Sequence, residues 1–244
     1  MRLAVADRPA VLCLQEVPAW ALSLLPEWSG MQAFGEIAQR PTLGPFPSTA
    51  ALGRALTSLH HGLLRSAFAG QGNAILLAPE LRPLEQHSIV LNSRSFRRRQ
   101  ADWLGLGIVA RLAWAKERRI CQTLRVVLPD ERCAVVANVH TTSYAADRRL
   151  ADAELLRAAV FADGLAKRDE LCVLAGDFNV EGAVSQTLRE LAEPEWGFSR
   201  AATGIDHVLV RGADATAAEV WEDARRRLDG RLLSDHAPVE VRLA

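Results

Sequence analysis

The chain has 244 residues, 49% of them apolar, with 29 basic side chains set against 29 acidic ones. That is enough apolar material for one large α/β or all-β domain. A balanced charge excludes a global electrostatic pull toward nucleic acid or an anionic membrane, so any polyanion binding has to come from a local patch.

In chain order, Val11 to Leu14 reads as a short buried strand ended by Gln15-Glu16-Val17-Pro18. Residues 19–47 are rich in Pro, Gly and Trp and read as loop with at most one helical turn. Ser48 or Thr49 can cap a helix with apolar positions Leu52, Leu56, Leu59 and Leu63, stopped by Gly70. Strands follow at Ala74–Ala78 and His87–Leu91. Residues 93–103 break the pattern with Arg94, Arg97, Arg98 and Arg99 and read as loop. Leu106–Leu112, Ile120–Val127 and Cys133–Val139 read as strands, the last two joined as a hairpin through Pro129-Asp130-Glu131. Residues 147–167 carry the inward stripe Leu150, Leu155, Leu156, Ala159, Val160 of a helix. A strand at 171–175, a short helix near 184–192, a strand Ile205–Val210 and a final strand Ala237–Leu243 complete the series.

Hairpins mixed with crossover helices argue for two packed sheets with helices outside. No repeat or linker appears, so residues 1–244 read as a single domain. Cys13, Cys121, Cys133 and Cys172 each sit in an apolar run without metal-binding spacing. They read as buried thiols of a reducing compartment. No secretory leader and no apolar stretch of membrane-spanning length is visible, so the expected location is the cytoplasm.

Five polar clusters sit at strand ends: Glu16; Asn138 and His140; Asp177 and Asn179; Asp206 and His207; Asp235 and His236. Each alone fits a turn cap or a structural histidine. Five in one chain, all at apolar strand termini, point to metal-assisted hydrolysis. Alternation along a strand would turn Asp177 and Asn179 toward one pocket.

The segments Gln15-Glu16, Asn138-Val139-His140, Gly176-Asp177-Phe178-Asn179, Gly204-Ile205-Asp206-His207-Val208 and Ser234-Asp235-His236-Ala237-Pro238-Val239 resemble, in this order, the endonuclease/exonuclease/phosphatase superfamily. Gly72-Asn73-Ala74-Ile75-Leu76 and the strand entry Glu117-Arg118-Arg119 add to the likeness. The resemblance implies an α/β fold, a four-layer sandwich of two mixed β-sheets flanked by helices, with the site at one rim. It implies a metal-dependent phosphoric ester hydrolase, a phosphodiesterase or nuclease on DNA or RNA. The alternatives are a phosphomonoesterase on a small polyanion and an impaired, phospho-ligand-binding member.

By the same resemblance Glu16 is a ligand of Mg²⁺ (Mn²⁺ in its place is compatible), and Asp235 supports the metal region. Asp206 orients His236 as acid/base, Asp177 activates water, Asn179 holds the phosphate, and His140 contacts the scissile group. Members of the superfamily also open with one further strand ending in Trp-Asn. No Asn precedes Asn73 here, which implies weak or absent turnover for a chain without that strand.

Overall fold

The computed structural model describes residues 1–43, 46–49, 51–52, 54–55, 70–167, 170–199 and 203–243. Strand β1 (Val11–Pro18) leads through a short 3-10 turn and helix α1 (Leu25–Ser29) to β2 (Gln32–Gln39), then to the two-residue strands β3 (Thr42–Leu43) and β4 (Phe46–Pro47). Strands β5 (Gln71–Leu77) and β6 (Arg82–Val90), helices α2 (Arg94–Trp103) and α3 (Ile108–Ala115), and strands β7 (Ile120–Val127) and β8 (Cys133–His140) come next. Helix α4 (Arg149–Leu165), β9 (Leu171–Asp177), α5 (Gln186–Leu191) and β10 (Asp206–Arg211) follow. Among the described residues the C-terminal region holds two two-residue pairings, β11 (Glu219–Val220) with β14 (Val239–Glu240) and β12 (Arg227–Leu228) with β13 (Arg231–Leu232), and a single bridge between Ala215 and Leu243.

Two sheets form the frame. One runs β1-β5-β2, wholly antiparallel; the other runs β10-β9-β8-β7-β6. Its only parallel pair is β8 with β9, joined by the crossover helix α4, while β7 and β8 form the expected hairpin. Alternation then sorts the side chains. Ile75, Leu77, Leu124, Val126, Ala134, Val136 and Val210 fill the space between the sheets. Val135, Ala137 and Val139, one residue out of phase, meet Leu155, Ala158, Ala159 and Ala162 of α4. Ala74 and Leu76 meet Leu25 and Met31 on the outer face of the small sheet. The four-layered α/β sandwich follows from this period-two pattern on two sheets.

Several segments differ from their reading in the sequence. Residues 32–39 are a strand, not loop: Ala33 and Phe34 pair with Leu76 and Ile75 of the fully buried β5, so a partner strand rather than local composition decides them. Residues 94–103 and 108–115 are helices, not a loop and a strand. Arg, Gln and Ala are good helix formers, and Ala101, Leu106 and Trp114 bury together with Leu150 of α4. The final strand Ala237–Leu243 contracts to Val239–Glu240, paired with β11, and a single bridge from Leu243 to Ala215, and lies outside both large sheets. Thr49 caps as expected, its hydroxyl accepting from Leu52 N at 3.3 Å. Leu56, Leu59 and Leu63 lie outside the described residues.

Behind β8 sits a buried carboxylate. Glu154 of α4 accepts from Thr142 N (2.7 Å), Thr142 Oγ1 (2.8 Å) and the indole Nε1 of Trp114. Burial lifts its pKa from 4.5 to about 7 against the pull of these three donors. A carboxyl whose folded pKa is raised favours the folded state most below its unfolded pKa, and that contribution is lost as pH rises through the folded value. Glu154 is therefore expected to cost on the order of 3 kcal/mol of stability between pH 4.5 and 7. Urea denaturation across that range checks it, and Glu154→Gln should flatten the slope. An equal slope in that variant would assign the dependence to another group.

Candidate active site

The inner face that is apolar in mid-sheet becomes polar at one end. On β8, Ala134 and Val136 are followed on the same face by Asn138 and His140. On β9, Leu171 and Val173 are followed by Ala175 and Asp177. On β10, Val210 and Val208 lead back to Asp206. The register carries these ends together: His140 pairs with Asp177, and Asp177 with Asp206. Opposite them, β1 carries Cys13 and Gln15 on the inner face. The register slips between Leu14 and Val17, and Glu16 takes φ +54° in that irregularity. The slip turns the half-exposed Glu16 carboxylate to the rim, 3.7 Å from His140 Nε2 and 4.0 Å from Arg119 Nη1.

Asn138 fastens the two sheets beneath this rim. Its amide donates to the carbonyls of Leu14 (2.9 Å) and Ala74 (3.0 Å), its oxygen accepts from Gln15 Nε2 (2.6 Å), and Asn73 Nδ2 donates to its carbonyl (3.4 Å). Asn138 is fully buried. Asn138→Leu is expected to cost about 3 kcal/mol, because it strands two buried carbonyls and a glutamine amide; urea denaturation measures it.

Asp177 is buried, and its pKa is pushed up to about 6, first by burial and then by the Asp206 charge. Asp206 Oδ2 lies 2.8 Å from His236 Nδ1. Burial opposes protonation of His236, but the charge and hydrogen bond of Asp206 outweigh it and raise its pKa. That bond also orients the imidazole, leaving Nε2 for the open side. Asp177, Asp206 and His236 each offer a ligand atom within 4.8 Å of the others, a group that fits a divalent ion.

His140 is nearly inaccessible. Its Nε2 lies 3.6 Å from Asp177 Oδ2, and Arg119 Nη1 lies 2.6 Å from Nε2 and 2.9 Å from Nδ1. Burial, then the Arg119 guanidinium, hold its pKa well below the ordinary value, so His140 is neutral and suited to hydrogen bonding rather than to acid catalysis. Arg119 itself is buried, its Nη2 donating to Glu117 at 2.7 Å. Its place at the site is visible in the sequence only as the basic entry to a strand.

Two other expected residues stand differently from the simple alternation argument. The strand ends at Asp177, and Asn179 follows it with φ +50°. Asn179 N donates to Asp177 Oδ1 (3.0 Å) and its side-chain amide donates to Thr141 O (3.1 Å). This is an Asx-type turn, and it spends one amide hydrogen of Asn179 on bracing the segment after His140. Asp235 is exposed and stands outside the Asp177–Asp206–His236 group. His207 points away from the rim, buried against Phe178 with Nε2 on Val180 O at 2.9 Å.

No curated protein matches the chain. Among solved structures, a conserved protein of unknown function from Enterococcus faecalis V583 is similar at 15% identity and TM-score 0.65, covering 100% of this chain and 88% of its own. The endonuclease/exonuclease/phosphatase from Bacteroides vulgatus is similar at 14% identity and TM-score 0.63, with coverage of 100% and 88%. A humanized D. rerio TDP2 is similar at 16% identity and TM-score 0.61, with coverage of 97% and 85%. These likenesses establish the fold. The family model described as Endonuclease/Exonuclease/phosphatase family matches residues 1–236, nearly the whole chain and every cluster of the rim, and the chain belongs to that family.

Proposed function

We propose that the chain is a divalent-metal-dependent phosphoester hydrolase acting on a phosphodiester, DNA or RNA being the substrates its class favours. The observation that carries this reading is the Asp206–His236 pair at 2.8 Å beside the buried Asp177. A phosphodiester repels nucleophiles with its own charge, so its hydrolysis needs a proton acceptor for water, a proton source for the leaving oxygen and positive charge around the phosphoryl group.

The carboxylates of Glu16 and Asp206 are the groups that would hold Mg²⁺ or Mn²⁺, leaving Asp177 and His236 for proton transfer. A bound ion there would neutralise charge on the phosphoryl oxygens. The chain's own groups do the rest. Asp177 takes the proton of the attacking water. His236, steadied by Asp206, exchanges a proton at Nε2 with the phosphoester. Arg119 adds a fixed positive charge behind His140. Neutral His140 accepts a hydrogen bond from Arg119 beneath the rim beside Asp177, and Asn179 keeps the Thr141 backbone in place next to it.

Hydrolysis of bis-p-nitrophenyl phosphate, plasmid DNA and RNA with and without Mg²⁺ or Mn²⁺ tests the activity. Metal binding has its own readout in the thermal midpoint. Mn²⁺ is expected to raise it in the wild type, and Asp206→Asn is expected to abolish the rise. A metal shift that survives in both Asp206→Asn and Glu16→Gln would remove this donor set.

A further inference from the structure

Between β6 and β7 the chain leaves the sheet for the α2–α3 helix pair and returns. Asn92 closes the base of this excursion: its amide donates to the carbonyls of Trp114 (3.2 Å) and Glu117 (2.6 Å), and its oxygen accepts from Arg119 N (2.9 Å). The inner side packs through Ala101, Leu106 and Trp114. The outer side is unusual for a surface. Trp103 is 81% exposed, Ile108 77%, Val109 72% and Leu112 67%, the first at the end of α2 and the others on one side of α3. From Arg94 to Arg119 there are eight basic and two acidic side chains, in a chain that is neutral overall. Both acids are engaged, Asp102 with Arg111 at 2.9 Å and Glu117 with Arg119 at 2.7 Å. Among the described residues, Arg94, Arg98, Arg99 and Arg118 have no carboxylate partner, and the Nε of Arg97 is buried without a hydrogen bond. Arg94, Arg97, Arg98 and Arg111 surround a cleft of about 170 Å³.

We propose that this helix pair docks the protein on an anionic phospholipid bilayer. Trp103, Ile108, Val109 and Leu112 enter the headgroup–acyl boundary, and the arginine cleft takes lipid phosphate. A helix pair that carries both exposed apolar side chains and arginines is complementary to such an interface at both levels: the indole suits the boundary region, and guanidinium forks suit phosphate. A nucleic-acid duplex would use the arginines but leave the three aliphatic side chains in water, which is why the bilayer is favoured. The excursion returns to the sheet at Arg119, which stands 4.0 Å from Glu16 at the rim of the candidate active site. The inference is independent of the proposed chemistry.

The test is flotation of the full chain with vesicles of phosphatidylcholine alone and with about a third phosphatidylglycerol. Partition is expected to rise roughly tenfold or more on the anionic vesicles and to weaken with salt. The triple variant Ile108→Ser, Val109→Ser, Leu112→Ser and, separately, Arg94→Gln with Arg98→Gln should each lower it by about tenfold with unchanged circular dichroism. Trp103→Ala guards against a folding defect in the triple variant, and the emission lost in Trp103→Phe should be blue-shifted on vesicles only. Equal partition onto neutral and anionic vesicles overturns the proposal. So does duplex DNA binding that the arginine substitutions abolish and the apolar ones leave intact, or self-association that the apolar substitutions relieve without any vesicle binding.

Discussion

Asp177→Asn is expected to lower hydrolysis of bis-p-nitrophenyl phosphate by roughly 10²- to 10⁴-fold, the range for loss of a positioned general base, while leaving the fold intact. The two halves of this expectation have different origins. Structurally, the Asn oxygen can still accept from Asn179 N, the bond that shapes the turn after β9. Energetically, the carboxylate is already unfavourable where it sits: burial and the Asp206 charge push its pKa up to about 6. Removing the charge therefore removes a repulsion, so the thermal midpoint should hold or rise. Chemically, the neutral amide cannot take a proton from water. Loss of activity without loss of stability marks a group retained for chemistry. Activity within threefold of wild type would sink the assignment of Asp177 as base, and a parallel loss of stability would mark it as structural.

Gly176→Ala, one residue away, is expected to do the reverse and destabilise the fold by about 4 kcal/mol or more. Gly176 holds φ +136°, where an L side chain is strained, and a Cβ there would lie 2.0 Å from Val139 O of the parallel partner β8. Backbone cannot retreat from that contact without breaking the β8–β9 pairing that brings His140 to Asp177. The site should fall with the fold. Gly164 near the end of α4 is the matched control, because a Cβ there meets nothing within 4 Å. Gly164→Ala should be neutral or stabilise by up to ~1 kcal/mol. Urea denaturation of both variants measures the contrast. Comparable small effects would show that β8 can shift at Val139.

The activity effect and the stability effect meet on Gly-Asp-Phe-Asn because the strand end carries both demands. The glycine permits close parallel pairing, and the aspartate is the first side chain past it on the inner face. The three nearest expected site residues, Asp177, Asp206 and His236, come together from β9, from β10 and from a C-terminal segment that pairs with neither. Asp235, in the bend beside His236, does not join them.

What the sequence by itself determined is where apolar runs end and which polar residues stand at those ends. Strands β5, β7, β8 and β9 were legible as apolar runs and helix α4 as a stripe of about 3.6-residue period, and the candidate site residues drew notice because they stand at the ends of those runs. Tertiary structure alone decided the remainder. Strand β2 exists because β5 needs a second partner, which no local pattern announces. Helices α2 and α3 were mistaken for loop and strand because Ile108, Val109 and Leu112 are exposed, so their spacing reports an outer surface rather than a core. Arg119 gives no signal beyond a positive charge at a strand entry, and only the sheet register places it against His140, where it adds to burial in keeping that histidine neutral. Periodicity records burial along one element; proximity between elements depends on register and packing, which no single segment contains.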